Sequence, residues 1–146
     1  MPRRYVFDTN VLIAAMRSEK GASRKLLLYS LDGAIVVLAS VPLMIEYEAV
    51  LTRNDHLIAS GLSPAETNAV LDAFVSVSEP IRLRFLWRPQ LKDPADEMVL
   101  EAAVNGGADR LVTFNLRHLK QAALKLGIVT VTPPEAWKEI VAHEKE

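Results

Sequence analysis

Short runs of β-branched and aromatic residues alternate with longer stretches of helical period along the whole chain. That alternation calls for strands joined through helices, that is, βαβ units around a mainly parallel sheet. Arg4-Tyr5-Val6-Phe7 reads as a buried first strand, handing over at Asp8-Thr9-Asn10 to a helix that reaches Met16. Gly21 to Leu31 is a second helix closed by Asp32-Gly33, Ile35 to Leu38 the next strand, and Pro42 opens a helix carrying Leu43, Tyr47, Val50 and Leu51 on one stripe. Ser63-Pro64-Ala65-Glu66 is a capping box that starts a helix from Pro64 to about Val77, and Pro80 ends that region. Ile81 to Trp87 alternates apolar residues with Arg82 and Arg84, as a strand near a sheet edge would. Asp93-Pro94-Ala95-Asp96 caps a helix to about Asn105, stopped by Gly106-Gly107. Leu111 to Thr113 is a strand, Leu116 to Leu126 a helix, and Ile128 to Val131 a last strand before Thr132-Pro133-Pro134-Glu135 starts the final helix. The expected architecture is a three-layer α/β/α sandwich with a central, mainly parallel sheet.

Length and composition narrow the function classes. At 146 residues and 50% apolar content the chain is expected to be a single domain, 1–146, around a real core. The longest weakly polar run, Ala34 to Met44, contains Ser40 and Pro42 and falls far short of the ~20 residues of a membrane span. Asp8 interrupts the apolar stretch behind Met1-Pro2-Arg3-Arg4, so no signal-peptide core is read there and a cytoplasmic location is expected. Zero cysteines exclude disulfides and thiolate metal sites. The three histidines, His56, His118 and His143, are too far apart in sequence for a local zinc motif. A net charge of −1 does not by itself attract a polyanion, so any nucleic-acid binding must be local.

In open parallel sheets the ligand crevice lies beyond the carboxyl ends of the strands, and Asp8, Asp93, Asp96 and Asn115 all fall at such handovers. An aspartate at the end of a buried strand is costly unless paired, hydrogen-bonded or coordinated. Asp8 could merely cap its helix, although Thr9 and Asn10 could cap it equally well. Asp96 lies on the side of its helix that carries Val99, Ala102 and Ala103 and so faces the protein, whereas Glu97 and Glu101 point away and read as solvated. As an acid in a first turn, Asp96 could simply complement the helix dipole. Asp93 suits an N-cap better than a metal ligand, and capping is as good a reading of Asn115 as catalysis. Glu46 and Glu48 border opposite sides of one apolar stripe, and periodicity does not choose between them.

Taken together, Val6-Phe7-Asp8-Thr9-Asn10-Val11-Leu12-Ile13, the glutamate helix, Asp93-Pro94-Ala95-Asp96 and Val112-Thr113-Phe114-Asn115-Leu116-Arg117-His118-Leu119 resemble the PIN-domain nucleases in order and spacing. Within that family the chain is most similar to prokaryotic single-domain toxin components of toxin–antitoxin systems, the VapC-type relatives. The resemblance implies an endoribonuclease that hydrolyses RNA to leave a 5′-phosphate. Asp8 would be the first-strand metal ligand, Glu46, preferred to Glu48, the helix glutamate, and Asp96 the third acid. Asn115 stands where the family often has aspartate, so it would position a water or phosphate, and Asp93 could restore the lost charge. Thr9, Asn10 and Thr113 would support the crevice. A group of carboxylates with an open side suits Mg²⁺ or Mn²⁺, hard cations that keep several waters. Arg53, on the Glu46 helix, and Arg117, His118 and Lys120 are candidate RNA contacts; Arg82, Arg84 and Arg88 form a further set that reads better as a solvated face. Tyr5, Phe7, Tyr47, Phe85 and Trp87 read as core, which leaves few aromatics for reading bases and implies recognition by RNA shape. The resemblance also implies a cognate antitoxin partner and a homodimer. Two other readings compete with it: an inactive PIN-fold module that binds RNA or antitoxin, which Asn115 permits, and an aspartyl phosphatase, weakened because no second aspartate stands two residues after Asp8.

Overall fold

The computed structural model describes residues 3–84 and 93–145. Its elements run β1 (Arg4–Phe7), α1 (Thr9–Arg17), α2 (Ala22–Leu31), β2 (Val36–Ser40), α3 (Val41–Leu51), α4 (Asn54–Ser60), α5 (Pro64–Val77), β3 (Glu79–Ile81), α6 (Pro94–Gly106), β4 (Arg110–Val112), α7 (Leu116–Lys125), β5 (Val129–Val131) and α8 (Pro133–Glu144). The strands form one parallel sheet in the order β3-β2-β1-β4-β5, flanked by helices as an α/β/α sandwich. The chain winds outward from β1 to β3, then returns to place β4 on the other side of β1. The strand order therefore reverses between β1 and β4, where doubly wound sheets open a crevice at the carboxyl ends of the strands. The register pairs Phe7 with Val112, which sets Asp8 beside Thr113 just past the sheet.

The buried apolar side chains form one cluster in which Val6, Phe7, Leu38, Leu100 and Leu111 are almost wholly enclosed. α5 brings Phe74 onto the Phe7 ring, centroids 5.9 Å apart, and against the edge of Tyr47. α2 and α8 meet through Tyr29 and Trp137, with the Lys25 ammonium over the indole. The paired glycines at the end of α6 do different work. Gly107 holds φ 60°, the left-handed cap that ends the helix, while Gly106 is helical and a Cβ there would meet Leu38 Cδ1 at 2.9 Å.

Several expectations need correction. The edge strand is Glu79–Ile81, whereas the alternation predicts a strand that begins at Ile81 and runs to Trp87: Pro80 lies inside the observed strand, Arg82 to Arg84 carry no regular structure, and Phe85, Trp87 and Arg88 lie outside the described residues. Proline is tolerated because β3 has a neighbour on one side only, so the missing N–H removes no ladder bond on its outer side. α4 was not expected; it has no buried residue, so no apolar stripe announces it. Arg53 is the N-cap of α4, beyond the end of the Glu46 helix. Glu97 and Glu101 are buried, at 4% and 2% exposure, rather than solvated. α6 packs against four strands and against α3 and α7, so it lacks the single wet face that a helical wheel assumes.

Candidate active site

Asp8 follows β1 directly. Its backbone N–H continues the sheet by donating to Val112 O at 2.9 Å, and its extended φ and ψ make it the N-cap of α1. The carboxylate does not cap that helix. Instead Oδ2 accepts a 2.7 Å hydrogen bond from Thr113 Oγ1, and Thr113 Oγ1 in turn accepts from Asn115 N–H at 2.9 Å. Thr113 is fully buried and held by its own N–H to Val131 O, so β5 fixes the hydroxyl that orients Asp8. The carboxylate thus makes no side-chain N-cap bond to α1, although the Thr9 N–H at the start of that helix also acts on it, and Thr113 holds its other side at the crevice between β1 and β4.

Asp8 is only 5% exposed, and its pKa is pushed up to about 6. Burial is the main cause, because a charged carboxylate is poorly solvated there; the Thr113 hydrogen bond opposes it, and the negative charges of Asp96 and Asp93 add to it. Asp96, in the first turn of α6, is also buried and also raised. Burial again leads, the Asp93 charge adds to it, and the nearby His118 opposes it. Three aspartates are therefore electrostatically linked across the switch point. Asp93 itself is exposed and caps α6, its Oδ1 accepting from Ala95 N–H at 2.9 Å, so the capping reading holds for it.

The remaining residues fall around this centre. Asn10 Oδ1 accepts from Phe114 N–H at 3.4 Å, tying the start of α1 to the segment after β4. The Thr9 hydroxyl is buried without a hydrogen-bond partner among the described residues. Asn115 is exposed at the head of α7, and its side chain makes no cap. Arg117, His118 and Lys120 are exposed on the first turns of the same helix. Arg53 is exposed as well. On α3, Tyr47 is fully buried and donates its hydroxyl to Phe7 O, so the helix is fastened to the last residue of β1. Burial, then the Asp8 charge, raise the Tyr47 pKa. Glu46 is half-buried beside it, whereas Glu48 is exposed and lines a groove between α3 and α5 with Met44, Ile45 and Asp72. Among the described residues no three Asp, Glu or His side chains are grouped closely enough to hold a metal ion by themselves. Phe114, which the sequence reading passed over, is 48% exposed beside this centre; its place inside the Thr113 to Asn115 segment was the available signal.

The structure is similar to a chain in the crystal structure of VapBC2 from Rickettsia felis bound to a DNA fragment from their promoter. The match has a TM-score of 0.61 at 15% identity and covers 88% of this chain and 98% of that one, a likeness of fold. No curated protein sequence matches the chain. The family model for the PIN domain matches residues 4–117, which span β1 through the start of α7 and include every aspartate of the crevice. The chain belongs to the PIN domain family.

Proposed function

We propose that this chain is a divalent-metal-dependent endoribonuclease and the toxin of a toxin–antitoxin pair. The observation that carries the reading is the Asp8 carboxylate, buried at the switch point, held by Thr113 instead of capping its helix, and facing the charges of Asp96 and Asp93. PIN domains are in general nucleases, which agrees with an acidic crevice rather than a basic one. Such a set of carboxylates resists full ionisation unless a cation neutralises it.

The donors suit a hard ion. Mg²⁺ or Mn²⁺ binds through a few carboxylates and keeps several waters, so Asp8 and Asp96 would supply the protein's main share, with Glu46 and Asp93 as further ligands. A bound ion would lower the pKa of a water and neutralise charge developing on the phosphate oxygens. The chain's own groups do the rest. Thr113 fixes the rotamer of Asp8 and Asn10 ties down the neighbouring backbone, while Thr9 offers a hydroxyl with no competing bond. Asn115 is free to orient a water or a phosphate oxygen, because its amide is not spent on a cap. Arg117, His118, Lys120 and Arg53 give the near-neutral chain local cations for RNA, and His118 already acts on Asp96.

The test is Mn²⁺- or Mg²⁺-dependent cleavage of an RNA panel, expected to vanish in Asp8→Asn and Asp96→Asn. Equal residual activity in those variants sinks the metal-site proposal. A second reading, a PIN-fold module that binds RNA or antitoxin without cutting, is favoured by Asn115 and by the lack of a three-acid cluster among the described residues. Metal-independent RNA binding without cleavage would select it. The VapBC2 chain was solved in a complex bound to promoter DNA, which supports an antitoxin partner for this chain; a homodimer and a cytoplasmic place of action belong to the same proposal. Growth arrest on expression, relieved by the neighbouring reading frame, tests the toxin role; harmless expression of a cleavage-competent protein counts against it.

A further inference from the structure

One residue on from Thr113, Phe114 borders a hollow of about 270 Å³, lined also by Ala14 of α1, Ser18, the start of α2 from Gly21 to Ser23, and the first residues of α8, including Pro133. We propose that the hollow is a nucleotide subsite, taking one unpaired nucleotide of the RNA with its base on the Phe114 ring and its phosphate at the start of α2. The proposal rests on the ribonuclease reading and assigns the position next to the cut.

Three observations carry it. Phe114 keeps nearly half its surface exposed although it follows Thr113 directly, and its backbone is tied to Asn10. An exposed aromatic ring on a backbone tied to the start of α1, one residue from Thr113, offers a stacking platform for an RNA strand at the site. The start of α2 is then unusually open to an anion. Its N-cap is Gly21, which offers no side-chain acceptor, its first turn holds no acid, and the Arg24 side chain is spent on the Ala15 and Met16 carbonyls. The first-turn N–H groups and the helix dipole therefore have no anionic partner within the chain. Finally, Ser23, in that turn and in the wall of the hollow, is 4% exposed, and its hydroxyl has no hydrogen-bond partner among the described residues. A buried hydroxyl without a partner is costly, and a turn of the Ser23 side chain toward the hollow would let a phosphate oxygen satisfy it.

The chemistry selects a nucleotide over an apolar protein side chain. An apolar side chain would cover the ring and the prolines but leave Ser23 and the N–H groups of α2 unsatisfied, whereas a nucleotide offers a flat apolar face and an anion together. The start of α8 supplies only ring surface, since Thr132 and Glu135 already close it with a capping box. The hollow lies at the lower end of ligand-pocket sizes, roughly 300 Å³ and upward, which suits a single nucleotide.

The test uses the full chain carrying Asp8→Asn, so that RNA is bound without being cut, and single-stranded RNA with 2-aminopurine placed at each position in turn. One position should show strong quenching. Phe114→Leu should abolish that quenching and weaken binding about tenfold or more, while Phe114→Tyr keeps both. Ala22→Asp should weaken RNA binding yet leave the melting temperature unchanged or higher, because the new acid complements the helix dipole while repelling phosphate. Unchanged quenching and affinity in Phe114→Leu overturn the subsite, as does a loss confined to binding of a protein partner. The two readings fail separately. Wild-type cleavage with the same base preference in Phe114→Leu removes the subsite and leaves the ribonuclease; Phe114-dependent quenching without wild-type cleavage does the reverse.

Discussion

Replacing Asp8 by Asn should stabilise the metal-free protein at neutral pH, although the residue is proposed as the first metal ligand. Asp8 titrates at about 6 in the folded chain against 3.8 for an unperturbed aspartate, so the folded state holds this proton more tightly than the unfolded state does. A group of that kind supports folding below pH 4, and its support is lost as pH rises through the folded pKa. At about 1.36 kcal/mol per pKa unit, the ionised Asp8 costs roughly 3 kcal/mol above pH 6. Asn is close in shape and neutral at every pH, and its amide oxygen can still accept from Thr113. Finding a partner for the new amide N–H groups offsets about 1 kcal/mol at every pH, so the variant should be about 2 kcal/mol more stable than wild type at pH 7 and roughly 0.5 kcal/mol less stable at pH 4. Urea unfolding with a chelator at pH 4, 5.5 and 7 reads this difference directly. Adding Mn²⁺ should then reverse the order of stabilities, since an ion at 100 times its Kd stabilises the wild type by about 2.7 kcal/mol and finds no complete site in the variant. A variant less stable than wild type at pH 7 under chelation, or a difference that does not grow between pH 4 and 7, would refute the claim that burial and neighbouring carboxylates strain Asp8.

Other substitutions test neighbouring steps. Glu46→Gln should abolish metal-dependent RNA cleavage while Glu48→Gln, on the α3–α5 groove, keeps it; the opposite pattern in a gel assay would exchange their roles. Tyr47→Phe leaves the Phe7 carbonyl without its donor and should cost about 1 kcal/mol in urea unfolding, with reduced cleavage because α3 is no longer fastened to β1. Gly107→Ala places a Cβ at φ 60° and should cost about 1–2 kcal/mol, read as a lowered melting temperature with cleavage intact.

What could be read from residues alone followed from how locally each signal is encoded. The capping box of Ser63 and Glu66 fixes the start of α5 at Pro64, and that of Thr132 and Glu135 the start of α8, because both partners lie within one turn of chain. The strand that was misplaced, β3, has only one neighbour, so its pairing with β2 depends on Leu38 to Ser40, some forty residues away, and not on its own alternation. Burial of Glu97 and Glu101 is likewise a property of everything packed around α6, which helical periodicity does not contain. The site divides in the same way. Asp8 and Asp96 were legible because a carboxylate after a buried strand, or on the apolar side of a helix, is costly wherever it occurs. Glu46 was not, because its meaning depends on how α3 is turned, and that is set by tertiary packing of Leu43, Tyr47, Val50 and Leu51 together with the bond from Tyr47 to Phe7. Phe114 is the clearest case: nothing in its local pattern marks it as exposed, and its 48% exposure beside α1, α2 and α8 is a property of the folded chain. Residues whose role is a local cost declare themselves in a sequence, whereas those whose role is an exposed surface are defined by what the rest of the chain fails to cover.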